Sequence, residues 1–205
     1  MNSAIQERNE SPVQEGFEQI LGHLDAARQR SGRAGVLAIA GCRSGDGATF
    51  VLRALAKRLA KRSRRGVLQA DCADLILASH LNPGELLDQC SFTRDAGLWL
   101  LSSPDRCFRF AEASGESDVQ SAMMVLRSRF DYILLDCGAV NVSGGIWQVA
   151  PFVDDVFLVV AAGETTREQV GYAQRIIVQS GAHLTGCILN KRTYPLPNVI
   201  HRLLH

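Results

Sequence analysis

The stretch GCRSGDGATF, residues 41–50, has the composition of a loop that binds phosphate groups. Gly45 and Gly47 would let successive backbone N–H groups point inward toward an anion. Thr49 is placed where the hydroxyl group of such a loop binds magnesium. Ala48 occupies the position at which such a loop carries its lysine. The stretch therefore indicates a nucleotide site, either working or remnant, that lacks one cationic side chain.

Two aspartates complete the chemistry that this loop predicts. The run VLQAD ends in Asp71, and the run DYILLD ends in Asp136. Each carboxylate could hold magnesium directly or through water, and one could orient an attacking group. The alternative is that both aspartates merely cap helices at the ends of strands. The sequence leaves both interpretations open.

The elements that must position these residues are visible as apolar runs of strand length. These runs lie at 36–40, 67–70, 98–102, 132–135, 155–161 and 185–189. Helical stretches are predicted between them, at 49–62, 117–129 and 165–180. Strands that are apolar on both faces and alternate with amphipathic helices predict a doubly wound α/β domain with a mostly parallel sheet. Such a sheet places its ligand site at the carboxyl ends of its strands.

The remaining segments are less regular. Residues 1–14 are polar and without periodicity, so we predict a disordered N-terminal segment followed by one domain over 15–205. Turns and short helices are expected at 76–97 and 103–116. The last helix is predicted to begin with a capping box formed by Thr165 and Glu168.

Composition excludes several classes of protein. The net charge is +1, so no strong electrostatic field favours binding to nucleic acid. No apolar stretch is long enough to span a bilayer, and the first sixteen residues are too polar for a signal peptide, which predicts a cytoplasmic location. Cys42, Cys72 and Cys137 all fall at predicted strand ends. Three thiols there could bind a metal or form a redox switch, or each could simply be a small buried residue.

From residue 15 onward, the chain resembles the cytoplasmic domain of bacterial tyrosine kinases of capsule and exopolysaccharide synthesis, which belong to the deviant P-loop ATPases. EGFEQILGHL is similar to the family's N-terminal helix motif, and RSGDGAT to its phosphate loop. VLQADCADL and RFDYILLDCGAV resemble its second and third motifs, both acidic. APFVDDVFLVVAAGETTREQV and GCILNKRTYPLP resemble its later strands and the segment near the adenine.

This resemblance implies a three-layer P-loop NTPase-like fold that binds ATP with magnesium (Mg²⁺). The metal-side residues would be Thr49, Asp71 and Asp136, and the catalytic residues Asp71, Asp136 and Arg43. The implied cofactor-binding residues are Ser44, Gly45, Asp46, Gly47, Ala48, Thr49, Phe50 and Asn190, the last one near the base. Implied partners are a membrane component of the polysaccharide export or chain-length machinery, which would recruit the chain to the membrane, and further copies of the chain in a homo-oligomer.

The chain departs from the family pattern at positions that serve catalysis and assembly. The replacements are Ala48 for the loop lysine, Arg43 for a second lysine, Glu18 and Leu21 for two arginines that serve ring assembly, Ala73 for an aspartate, and Gly138–Ala139 for a proline pair. The C-terminal segment contains a single tyrosine, Tyr194, whereas the family kinases phosphorylate a tyrosine-rich tail.

The missing lysine affects catalysis more than binding. A charge-assisted hydrogen bond to phosphate contributes roughly 1.5–3 kcal/mol, and backbone N–H groups and magnesium would still hold the nucleotide. Losing one stabiliser of the transition state costs about a hundred- to a thousand-fold in rate. Arg43 could compensate, on its own nucleotide or on that of a partner, or it could be a solvated side chain at the loop edge.

Two classes of function therefore remain. One is an active ATP-dependent tyrosine kinase or ATPase that uses Arg43 in place of the lysine. The other is a catalytically weak or inactive relative that acts as a regulatory module of the polysaccharide export machinery. The departures all touch catalysis or assembly, which favours the second class.

Overall fold

The computed structural model describes residues 16–26, 28–29, 31–102 and 116–191. The N-terminal segment predicted to be disordered, most of the stretch 103–116, and Tyr194 lie outside the described residues. None of the helices in the described ranges is both long enough and apolar enough to cross a bilayer.

Seven strands form one sheet. They are β1 (Gly35–Gly41), β2 (Val67–Asp71), β3 (Cys90–Phe92), β4 (Leu98–Leu101), β5 (Tyr132–Ala139), β6 (Asp155–Ala161) and β7 (Leu184–Asn190). The helices are α1 (16–26), α2 (Ala48–Ala60), α3 (Cys72–Ala78), α4 (Pro83–Asp88), α5 (Glu116–Arg129), α6 (Gly145–Val149) and α7 (Arg167–Gln179), and a 3₁₀ turn spans Ala150–Phe152.

The strand order is β3-β4-β2-β5-β1-β6-β7, and only β3 runs antiparallel to its neighbour. Alternate residues of the central strand β1 pack on opposite faces of the sheet. Val36 and Ala38 belong to the core beneath α3–α7, whereas Leu37 and Ile39 pack with α1 and α2. The predicted doubly wound, mostly parallel α/β fold is therefore confirmed.

Several details differ from the prediction. β5 continues to Ala139, beyond the apolar run, and the short edge strand β3 was not predicted. The capping box of α7 was predicted one residue too early, because Thr166 and Gln169 form it. Thr165 instead donates its hydroxyl proton to the Asp46 carboxylate, 3.1 Å away.

At positions 18 and 21, where the resemblance implies arginines, the chain has residues that dock α1 on its own domain. Glu18 pairs with Arg62, just beyond α2, through two hydrogen bonds of 2.8 and 3.1 Å. Leu21 is 1% exposed and packs among the residues of α2 and β1. Lys57 and Arg65, on either side of Arg62, also pair with carboxylates of the chain, Asp95 and Asp131.

Asp131, at the entrance to β5, joins three separate segments. Its carboxylate accepts hydrogen bonds from Arg28 (2.6 Å), from Ser63 (2.9 Å) and from both the backbone and the guanidinium of Arg65 (2.9 and 3.0 Å). The backbone of Arg64 donates a further bond of 2.9 Å. The carboxylate therefore ties α1 and the α2–β2 connection to the sheet.

Burial acts to raise the pKa of Asp131, but the hydrogen bonds from Arg65, Ser63 and Arg64 outweigh it and lower the pKa from 3.8 to about 2. A depressed carboxyl pKa stabilises the fold above the unfolded-state value. The contribution, about 2 kcal/mol, is lost as the pH falls from about 4 toward 2. We predict that Asp131→Asn lowers the free energy of unfolding at pH 7 by about 1–3 kcal/mol and removes this acid-dependent loss. Denaturant unfolding across that pH range measures both effects.

Asp95→Asn is the matched control, since Asp95 pairs with Lys57 at 3.1 Å but both side chains are about half exposed. An exposed pair of this kind contributes less than about 1 kcal/mol. Equal losses in the two variants would contradict the role assigned to Asp131.

Candidate nucleotide site

The loop between β1 and α2 has the backbone geometry of a phosphate cradle. Gly45 and Gly47 have φ values of 89° and 93°, a left-handed conformation that favours glycine. Gly47 is the N-cap of α2, where no side chain caps the helix and no acidic residue occupies the first turn. The positive end of a 13-residue helix therefore faces the loop without a competing carboxylate from that helix.

The buried side chain of Asp46 holds this loop from the inside. Its carboxylate is 0% exposed and accepts a hydrogen bond of 3.0 Å from the Arg43 backbone, besides the one from Thr165. Asn190, at the end of β7, donates its side-chain amide to the Asp46 carbonyl at 2.9 Å. Asp46 therefore contributes main-chain groups to the loop, while its carboxylate is committed to the protein interior.

Two of the three residues predicted on the metal side, Thr49 and Asp136, lie in contact. The Thr49 hydroxyl donates a hydrogen bond of 2.6 Å to the Asp136 carboxylate, which is 7% exposed. The second oxygen of Asp136 accepts a 3.0 Å bond from the Gly138 backbone. One hydroxyl and one oriented carboxylate are the hard oxygen ligands that Mg²⁺ prefers, so this pair fits the metal.

Asp71 lies directly opposite Asp136, as its register partner on the neighbouring parallel strand. Its carboxylate is the N-cap of α3 and accepts a hydrogen bond of 2.8 Å from the Ala73 backbone. Asp71 therefore caps a helix at the end of its strand, which is the alternative that the sequence left open, and it also lies beside the predicted site. It does not describe Asp136, which lies within β5.

Ala48 and Phe50 flank Thr49 in the first turn of α2. Ala48 is 8% exposed and packs in the core with α2, so no charge stands at the lysine position. Phe50 is 72% exposed. Ser44 is also exposed, at the outer edge of the loop.

The Arg43 side chain is 33% exposed and lies beside two carboxylates. Its guanidinium lies 3.6 Å from the Asp46 carboxylate and 3.5 Å from that of Glu164. Lys191 places its amine 3.1 Å from both oxygens of the same Glu164. Two cations beside the loop are therefore balanced by two carboxylates of their own chain.

Glu164 was missed by sequence reasoning. The available signal was its place three residues after the end of β6, at the edge of the sheet where Asp136 and Asn190 also lie. Its role as a bridge between Arg43 and Lys191 is visible only in three dimensions.

The described residues contain no group of three or more His, Cys, Asp or Glu side chains arranged to hold a metal ion. The three-thiol metal hypothesis for Cys42, Cys72 and Cys137 is therefore wrong. Asp71 and Asp136 line a cavity of about 410 Å³ together with Cys72 and Cys137.

No protein-family model matches the chain, and no curated protein matches it in sequence. Solved structures do. The chimerical protein CapA2B2 has a TM-score of 0.68 at 19% identity, with 93% of this chain and 89% of that chain covered. The VpsO kinase domain has a TM-score of 0.65 at 22% identity, with 92% and 99% covered. Cobyrinic acid a,c-diamide synthase from Mycobacterium smegmatis, with bound ADP and magnesium, has a TM-score of 0.60 at 18% identity, with 83% and 81% covered.

At such identities the likeness shows the fold. The chain therefore has a P-loop NTPase-like α/β fold, shared with bacterial tyrosine kinase domains and with nucleotide-binding synthases.

We predict that the phosphate loop depends on glycine at 47 more than at 45. A Cβ atom at Gly47 would overlap the side-chain amide of Asn190, whereas a Cβ at Gly45 meets nothing within 4 Å. Gly45→Ala should cost about 1–2 kcal/mol from backbone strain alone. Gly47→Ala should cost about 1–3 kcal/mol more in thermal or denaturant unfolding, because it also displaces Asn190.

Combining each substitution with Asn190→Ala isolates the overlap. The additional loss caused by Gly47→Ala should disappear in that background, and the effect of Gly45→Ala should be unchanged. Equal effects of the two glycine substitutions in the parent chain would show that Asn190 does not contact the loop.

Proposed function

We propose that this chain is a kinase-like ATP-binding protein of exopolysaccharide or capsule biosynthesis. In this proposal it is catalytically weak or inactive and acts as a cytoplasmic regulatory module of the polysaccharide export machinery. The likeness to CapA2B2 and to the VpsO kinase domain supports the assignment to this group of proteins.

The observation that carries the proposal is the division between the two sides of the phosphate loop. On the metal side, Thr49 and Asp136 are hydrogen bonded at 2.6 Å and supply oxygen ligands suited to Mg²⁺. On the phosphate side, Ala48 offers no charge, and Arg43 and Lys191 are engaged by carboxylates of the chain. The site therefore keeps what binding requires and lacks what phosphoryl transfer requires.

Bound Mg²⁺ would supply positive charge that neutralises part of the charge of the phosphates. The chain itself would contribute loop amides, the Thr49 hydroxyl and the Asp136 carboxylate. Arg43 and Lys191 would each have to give up contacts with Glu164 or Asp46 in order to stabilise developing charge. Slow or absent turnover follows from this arrangement.

We predict that the wild-type chain binds magnesium–ADP but hydrolyses ATP at a background rate. Ala48→Lys should strengthen binding roughly ten- to a hundred-fold and raise turnover by about a hundred- to a thousand-fold. Ala48→Met is the control, because methionine has a comparable length without charge. Calorimetric titration measures the binding, and phosphate release measures the turnover.

The active-enzyme alternative makes the opposite prediction. Brisk ATP turnover by the wild-type chain, abolished by Arg43→Ala, would show that Arg43 replaces the lysine and would refute the proposed weak activity. Absence of magnesium–ADP binding in both the wild type and Ala48→Lys would refute the nucleotide site itself.

We further predict that Glu164→Gln increases nucleotide affinity by several-fold. Removing the Glu164 charge releases Arg43 and Lys191 toward the phosphates, and each freed cation adds a charge-assisted contact. Glu168→Gln, at the start of α7, removes an equal charge from an exposed neighbouring position and serves as the control. A fall in affinity on Glu164→Gln, or equal gains in both variants, would contradict this restraint on the cations.

The proposed partner is a membrane component of the export or chain-length machinery. A strain carrying Asp136→Asn should produce surface polysaccharide of altered amount or length, as should a deletion of the gene. Surface polysaccharide of unchanged amount and length in the deletion strain would refute a role in polysaccharide export.

A further inference from the structure

Two cysteines follow the two strand-end aspartates. Cys72 opens α3 directly after Asp71, and Cys137 follows Asp136 in β5. Because Asp71 and Asp136 are register partners on neighbouring parallel strands, the next residue of each segment is brought beside the other. The two sulfur atoms lie 3.0 Å apart.

The surrounding structure holds this pair in place. Cys72 is 3% exposed and Cys137 is 2% exposed. Gly145 of α6 packs so closely that a Cβ atom there would lie 2.9 Å from the Cys72 Cβ. Ser143 donates its hydroxyl proton to the carbonyl oxygen of Cys137. A disulfide has a sulfur–sulfur distance of about 2.05 Å, so bond formation requires a closure of about 1 Å.

A route from the surface to the pair exists. Both cysteines line the cavity of about 410 Å³, together with Val142 and Gly144. Val142 is 76% exposed, which places one wall of the cavity at the protein surface. The cavity volume is sufficient for a small reagent, so burial of the sulfur atoms does not exclude their oxidation.

We propose that Cys72 and Cys137 form a redox modification site, in which a small-molecule disulfide converts the thiol pair reversibly into an intrachain disulfide. The bond would link the ends of β2 and β5 covalently, next to both acidic residues of the nucleotide site. This inference does not depend on the proposed function, because it requires neither nucleotide nor turnover.

The chemistry proceeds by two exchanges. In the first exchange one thiol of the pair, such as that of Cys137, loses its proton and acts as the nucleophile. The Cys137 thiolate attacks the reagent disulfide and releases one reagent thiolate. Cys72 then loses its proton and attacks the Cys137 sulfur of the mixed disulfide, releasing the second thiolate. Two protein thiols are oxidised, one reagent disulfide is reduced, and the two protons end on the released thiols.

The test uses the full chain and bis(2-hydroxyethyl) disulfide as the probe. After treatment, peptide mapping should find the Cys72 and Cys137 peptides joined and lighter by two hydrogen atoms. The two residues are 65 positions apart, so closing this loop should raise the midpoint of thermal unfolding by roughly 10 °C. Dithiothreitol should reverse both changes.

Matched variants keep the test specific. Cys137→Ser and Cys72→Ala should each abolish the joined peptide and the thermal shift. Cys90→Ser should retain both, because Cys90 is buried elsewhere and its thiol donates to the Leu86 carbonyl. The proposal is overturned if the two peptides stay separate while exposed Cys187 takes up the reagent, or if the joined chain unfolds at the temperature of the reduced one.

Discussion

The phosphate loop depends on one buried carboxylate. Asp46 is 0% exposed, and a carboxylate withdrawn from water must be satisfied by hydrogen bonds. Here the Arg43 backbone and the Thr165 hydroxyl satisfy it, and Asn190 holds the carbonyl of the same residue. The ends of β6 and β7 therefore shape the loop before any ligand binds. The amides of Gly45 and Gly47 are preorganised by the fold itself.

Once the loop is preformed, the charge around it decides what the site can do. Glu164 forms ion pairs with both Lys191 and Arg43, and Asp46 forms a second ion pair with Arg43. An incoming phosphate must compete with these carboxylates, which lowers the benefit that either cation can bring. On the other side of the loop, Thr49 and Asp136 are hydrogen bonded to each other and together offer oxygen ligands suited to Mg²⁺. Under the proposed function, nucleotide binding depends on the metal side of the loop and catalysis on the phosphate side.

The sheet was predictable because each central strand is a continuous apolar run, and β6, Asp155–Ala161, has the predicted bounds. β5 runs further because Asp136 and Ala139 still pair with β1, across a register irregularity, after Asp136 has ended the apolar run. The capping box of α7 was predicted one residue too early because Thr165 and Thr166 are adjacent and each has a suitable partner three residues later. The proximity of Thr49, in the first turn of α2, to Asp136, in β5, was predictable from topology. The ion pairs of Glu164 were not, since they depend on the path of two loops rather than on any local pattern.

The most direct measurement is a crystal structure of the chain grown with magnesium and a non-hydrolysable ATP analogue. The account predicts that the phosphates contact the backbone amides of 45–49, with the metal ion bound by Thr49 and Asp136. A loop that stays empty at saturating analogue, or is filled by the side chains of Arg43 and Lys191, would contradict it.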